Sequence, residues 1–164
     1  MSAESSTRGN ASEFFVAGEL CRRGLIALVT VGNTPNTDIL CSNLAGTKFV
    51  HIQVKTFKPG NSTCSVGKKA ERYYGDNFFW VLAGIPTPES ERGFEYYIIP
   101  SKEMSLHVAE NHRTWLDTPG IHGQPHNDNS VRAVHLPPRV DPLTNWDISE
   151  HLNRWDIIED KLIE

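Results

Sequence analysis

The stretch Asp38-Ile39-Leu40-Cys41-Ser42-Asn43-Leu44-Ala45-Gly46-Thr47-Lys48-Phe49-Val50-His51-Ile52-Gln53-Val54-Lys55 decides how this chain is read. Two apolar runs, Asp38–Cys41 and Phe49–Thr56, flank a break that contains Asn43 and Gly46, the composition of a hairpin turn. Residues two apart on a strand point to one face, so Gln53 and Lys55 emerge side by side. The hairpin then folds Asp38 back beside them. A carboxylate, an amide oxygen and an ammonium on one patch of sheet suit a hard divalent cation and a positioned water, the arrangement that phosphodiester hydrolysis needs.

Upstream, a helix is expected over 11–23, with Ser12 as a candidate cap and Gly24 as its terminator. On that helix Glu13 shares a face with Val16, Ala17, Leu20 and Gly24. A lone carboxylate is costly on a stripe that packs against a sheet, and a metal or a basic partner offsets that cost. The other reading of Glu13 is a first-turn acid favoured by the helix dipole. Glu19 lies off the stripe, four residues before Arg23, a spacing suited to an exposed ion pair.

These pieces, in this order, resemble the PD-(D/E)XK nuclease superfamily, in particular the small archaeal Holliday-junction resolvases and the homing and restriction-type endonucleases. The resemblance covers roughly residues 8–100. It rests on Arg8-Gly9-Asn10-Ala11-Ser12-Glu13 leading to Arg22-Arg23-Gly24-Leu25, on Asp38, on Gln53-Val54-Lys55 and on the basic Val66-Gly67-Lys68-Lys69. Two positions depart from the pattern. Thr37 stands where the eponymous proline would be, and Gln53 replaces the usual acid. An amide oxygen ligates a hard cation without bringing charge, so metal affinity should be weaker.

The resemblance implies an α/β fold: a restriction-endonuclease-like core with a central mixed β-sheet flanked by helices in αβββαβ order, and a C-terminal helical extension. It implies a metal-dependent endonuclease cutting DNA, with Glu13, Asp38, Gln53 and Lys55 as catalytic residues. Asp38, Gln53, the Val54 carbonyl and Glu13 are the expected ligands of Mg²⁺, with Mn²⁺ as a substitute. Lys55 would orient or deprotonate water, and Lys58, Lys68, Lys69 and Arg72 would contact phosphates. Cutting both strands would take a homodimer or homotetramer. The alternatives are a catalytically decayed module of the same fold that binds nucleic acid or a protein, and an interaction domain using its Trp-bearing C-terminus.

Composition sets the outer limits. The 164 residues suit one domain with a real core. No apolar run is long enough to span a membrane, and the polar start, Met1–Asn10, lacks the apolar stretch of a signal peptide. Three scattered cysteines fit reduced thiols in a cytoplasmic protein. The net charge of −4 is unevenly spread: residues 1–75 carry nine Lys and Arg against five acids, whereas residues 76–164 carry seven against fifteen. The basic half holds the motif, which fits a phosphate-contacting face.

The chain divides into a flexible arm (1–10), a nuclease core (11–116), a Pro-rich irregular connection (117–145) and a C-terminal helix (146–164) packing on the same domain. Strands are expected near 25–31, 37–42, 48–56, 77–85 and 94–100, with a turn at 32–36 and a short helical turn near 67–75. Asn77–Ile85 is apolar on both faces, the mark of a covered central strand. A helix should start at Ser101. Phe14, Phe15, Phe78, Phe79, Trp80, Tyr96 and Tyr97 are assigned to core, and Tyr73 and Tyr74 more to packing than to base stacking. His122, His126 and His135 fit no metal spacing and read as loop residues. His51 shares the Gln53 face as a phosphate contact or as a satisfied sheet-end histidine.

Overall fold

The computed structural model describes residues 3–31 and 34–163; Gly32 and Asn33 of the expected turn lie outside them. Five strands form the main sheet: β1 (Ile26–Val29), β2 (Ile39–Ser42), β3 (Phe49–Phe57), β5 (Phe78–Gly84) and β6 (Glu95–Pro100). Their spatial order is β1-β2-β3-β5-β6, antiparallel throughout except for the parallel pair β3–β5. A separate ribbon pairs β4 (Thr63–Ser65) with β7 (Ala133–His135).

Alternation along β5 shows how the sheet is covered. Phe79, Val81 and Ala83 join a core with Val16, Ala17 and Leu20 of α1 (Ala3–Arg22) and with Trp155, Ile158 and Leu162 at and in α3 (Asp156–Leu162). Phe78, Trp80 and Leu82 join a second core with Met104 and Val108 of α2 (Ser101–Asp117), Cys64 and Val134 of the ribbon, and Trp146 and Ile148. Each such side chain contributes roughly 1.5–3 kcal/mol when fully buried, and period two divides that burial between two faces. Gly84 pairs with Phe57 where a Cβ would meet the Phe57 ring at 2.6 Å, so only glycine fits there.

Several expectations are corrected. Residues 3–10 are helical, so α1 starts well before residue 11 and Ser12 lies inside it, donating to the Gly9 carbonyl at 2.7 Å instead of capping. Gly24 does end α1, at φ 83°. The short helical element expected near 67–75 is present as a 3-10 turn, Lys68–Glu71, and the helix expected from Ser101 follows β6. The C-terminal segment is not one helix: α3 is only Asp156–Leu162, and a 3-10 turn at Ser149–His151 precedes it. Asp117 closes α2, and residues 118–145 are irregular apart from β7. Phe14 and Phe15 are 67% and 46% exposed, because both fall off the α1 stripe. Among the described residues, no helix is long and apolar enough to cross a membrane.

The connection is organised by a residue with no sequence signature. Arg132 is 4% exposed; its guanidinium bonds Glu71 in the 3-10 turn and the carbonyls of Asn129 (2.6 Å) and Val131 (2.8 Å). Replacing it with Met strands Glu71 and two carbonyls, an expected loss of about 3 kcal/mol. Urea denaturation measures this, and a loss under about 0.5 kcal/mol would show that the network contributes nothing.

Candidate active site

The β2–β3 hairpin ends unevenly. Ile39 pairs with Ile52, and the Asp38 amide donates to the Ile52 carbonyl at 2.9 Å, after which β3 continues to Phe57 without β2 beside it. The Asp38 side chain takes over there: Oδ2 accepts from the Val54 amide at 2.7 Å and from Gln53 Nε2. The N–H and C=O of one strand residue point the same way, so the Val54 carbonyl faces this same unpaired edge. Lys55 follows Gln53 on one face, and Gln53 is buried.

α1 crosses the open edge. Ser12 Oγ meets Thr56 Oγ1 at 2.6 Å, and Glu13 follows it. Glu13, Asp38, Gln53, Val54, Lys55 and Ser65 all line one cleft of about 490 Å³. Asp38 lies above the ordinary carboxylate range, mainly through burial, opposed by the Val54 amide, the Lys55 charge, Gln53 and Lys69. Glu13 is raised too, first by burial, then by the Asp38 charge, against the pull of Lys55. Two carboxylates that repel each other in a partly buried, oxygen-lined cleft form a donor set that fits a hard divalent cation, because such a cation relieves both costs.

The other expected residues are distributed as follows. Lys69 is close enough to stabilise the Asp38 charge. Lys68 is exposed and paired with Asp128 at 3.3 Å. The Arg72 guanidinium lies 5.3 Å from the Tyr74 ring centroid. Lys58 is exposed beyond β3 and does not line the cleft. His51 bonds Thr37 Oγ1 at 3.2 Å and does not line it either. Tyr74 stacks on Phe78, 4.6 Å between centroids, as a packing residue. His126 stacks on Trp115 and His135 bonds Asp141, and among the described residues neither belongs to a group of ligating side chains. Glu19 pairs with Arg23 at 2.9 Å as its spacing predicts. Sequence reasoning passed over Ser12 as a cleft residue, although its spacing to Val16 and Leu20 puts it on the buried stripe. Ser65 had no signal, since its place depends on the ribbon.

No protein-family model matches the chain, and no curated protein does. Among solved structures it is similar to a bacterial homing endonuclease, I-Ssp6803I, at 16% identity and a TM-score of 0.55 over 96% of this chain and 93% of that one. It is also similar, at 16% identity and a TM-score of 0.43 over 77% of this chain and 83% of the other, to Hjc of Archaeoglobus fulgidus, a Holliday junction resolvase from an archaeal hyperthermophile. The first likeness shows the fold: a mixed α/β, restriction-endonuclease-like architecture with a five-stranded central sheet flanked by helices.

Proposed function

We propose that this nuclease-fold chain is a metal-dependent endonuclease that hydrolyses DNA phosphodiester bonds. The observation that carries the reading is the convergence of Asp38, Gln53, Lys55 and Glu13 on one cleft at the uneven end of the β2–β3 hairpin. Asp38, the Val54 carbonyl, the Gln53 side-chain oxygen and Glu13 would hold Mg²⁺, or Mn²⁺ in its place. The bound cation would supply positive charge beside the scissile phosphate and acidify a water. Lys55 would orient or deprotonate the attacking water and offset the charge that builds on the phosphate. Lys69 is the best placed of the basic residues to meet an adjacent phosphate, because its charge reaches Asp38. Lys58, Lys68 and Arg72 would contact the backbone farther out and carry no sequence preference. One such site cuts one strand, so a homodimer or homotetramer would be needed for both.

The assignment is tested by offering supercoiled plasmid, linear duplex, single strand and four-way junction in Mg²⁺ and in Mn²⁺. Cutting that Lys55→Ala removes supports the nuclease. No cutting by a folded protein in either metal transfers the reading to a decayed, DNA- or protein-binding module. One observation favours that second reading: Gln53 donates its amide to Asp38, so a neutral donor serves the carboxylate without a cation.

Gln53→Glu separates the two further. It replaces that donor with a second charge, so metal-free protein should lose about 1–3 kcal/mol while Mn²⁺ affinity rises about tenfold or more. Calorimetric titration with Mn²⁺ measures both arms when paired with urea melts. Unchanged metal affinity would count against Gln53 as a ligand.

A further inference from the structure

A second cluster of ligating side chains lies where α2 meets the C-terminal segment. Glu103 Oε1 accepts from His151 Nε2 at 2.7 Å and from Trp146 Nε1 at 3.1 Å. Glu150 Oε1 lies 3.9 Å from the same His151 nitrogen, and the three ligand atoms are all within 4.8 Å of one another. His151 is buried whereas the Glu150 side chain is 75% exposed, so the group opens to solvent on one side. A second imidazole stands nearby: the His107 ring stacks flat on Trp146 at 4.6 Å, and its Nδ1 is buried with no hydrogen-bond partner among the described residues.

From that geometry we infer that Glu103, Glu150 and His151 form a surface site for a zinc-class divalent cation, separate from the cleft at Asp38. Bonds of about 2.0–2.1 Å in tetrahedral geometry put neighbouring ligand atoms about 3.3 Å apart. Glu103 therefore has to open from His151 by about 0.6 Å and Glu150 to close on it by about as much, while the two carboxylates, within 4.8 Å of each other, close by up to about 1.5 Å, a movement for the exposed Glu150 side-chain torsions. The ion takes the place of the proton that His151 and Glu103 share. Trp146 holds the Glu103 carboxylate in place, the orienting bond that ligating carboxylates use. One imidazole with two carboxylates selects Zn²⁺ over Mg²⁺, which wants oxygen ligands alone and keeps most of its waters. A water completes the coordination. The ion would fasten the 149–151 turn to the first turn of α2, clamping a segment that closes the Trp146 side of the core.

The test is titration of EDTA-treated full-length protein with Zn²⁺ in saturating Mg²⁺, which on the proposed function fills the cleft. Calorimetry, thermal melting and zinc-edge X-ray absorption are the readouts. The expected results are one zinc per chain with nitrogen and oxygen neighbours, and a Tm rise of about 5 °C or more at high occupancy. Glu150→Gln should weaken binding about tenfold or more and His151→Gln should abolish it, with Asp38→Asn unchanged. Glu150→Gln is exposed and keeps the Glu103–His151 bond, so it decides the matter if His151→Gln does not fold. No zinc binding overturns the site, as does zinc that ignores Glu150→Gln or that leaves only in Asp38→Asn.

Discussion

On the proposed function, Asp38→Asn is expected to reduce Mg²⁺-dependent DNA cleavage by about three orders of magnitude or more while leaving the fold intact. Asp38 accepts backbone and side-chain hydrogen bonds and, in the proposed function, also draws the cation; this substitution divides the two roles. Its Oδ2 is the acceptor for the Val54 amide at the point where β2 stops, and an Asn oxygen can still accept there. The negative charge, which would draw the cation and set its distance from Lys55, is gone. Asp38→Ala would remove both, adding about 1–3 kcal/mol of instability for the stranded Val54 amide. Cleavage that stays within about tenfold of the parent in Asp38→Asn would sink the assignment.

The same substitution has an opposite effect without metal. Burial is the main cause that raises Asp38 and Glu13 above their ordinary values of 3.8 and 4.5. Raised carboxylates bind protons more tightly in the folded state, so the stability they contribute is full below those ordinary values. It is lost as pH rises through the raised ones. In EDTA, Asp38→Asn should therefore be more stable than the parent at neutral pH, and the difference should vanish below the ordinary carboxylate range. Urea midpoints at the two pH values check the sign. A parent more stable than the variant at neutral pH without metal would mean that Gln53, Lys55 and Lys69 already balance the charge.

Trp155→Ala is expected to cost about 3–5 kcal/mol and to lower Tm by about 10 °C. Trp155 is 1% exposed, meets the Tyr96 ring at 5.2 Å and lies under the Arg23 guanidinium at 5.6 Å. It also immediately precedes α3, whose seven residues are too few to hold a helix without packing. Around it the C-terminus is sewn to the sheet: the Asn153 amide donates to the Tyr96 carbonyl at 2.7 Å, Leu152 bridges to Tyr97, and Glu159 pairs with Arg23 at 3.0 Å. Urea denaturation followed by far-UV circular dichroism gives the loss. Less than about 1 kcal/mol would make this segment peripheral. Because Trp155 packs on the sheet face opposite Gln53 and Lys55, cleavage per folded molecule should be unchanged.

Much of the fold was legible where the signal is local. Strand parity and the Asn43-to-Gly46 break were enough to bring Asp38 to Gln53, because a hairpin joins neighbours in sequence and alternation assigns their faces. The stripe Glu13, Val16, Ala17, Leu20 identified the buried side of α1 for the same reason. The all-apolar run at Phe78–Gly84 announced a strand covered on both faces.

What stayed hidden depends on partners distant in sequence. Residues 3–10 carry Gly9 and several polar residues and have no helical stripe, yet they are helical, and Gly9 and Asn10 lie beside the C-terminal end of β3. β4 and β7 are three residues each, too short to show alternation, and each is a strand because the other pairs with it. Trp146 and Trp155 fit one amphipathic helix as well as two separate core anchors, and only their different neighbours, His107 and Tyr96, distinguish the cases. The residue types of the cleft and the hairpin that joins them were therefore written in the chain. Their burial, the crossing of α1 over the open edge of β3, the Arg132 network and the meeting of Glu103 with His151 belong to the tertiary structure alone, since local sequence does not encode contacts made across long loops.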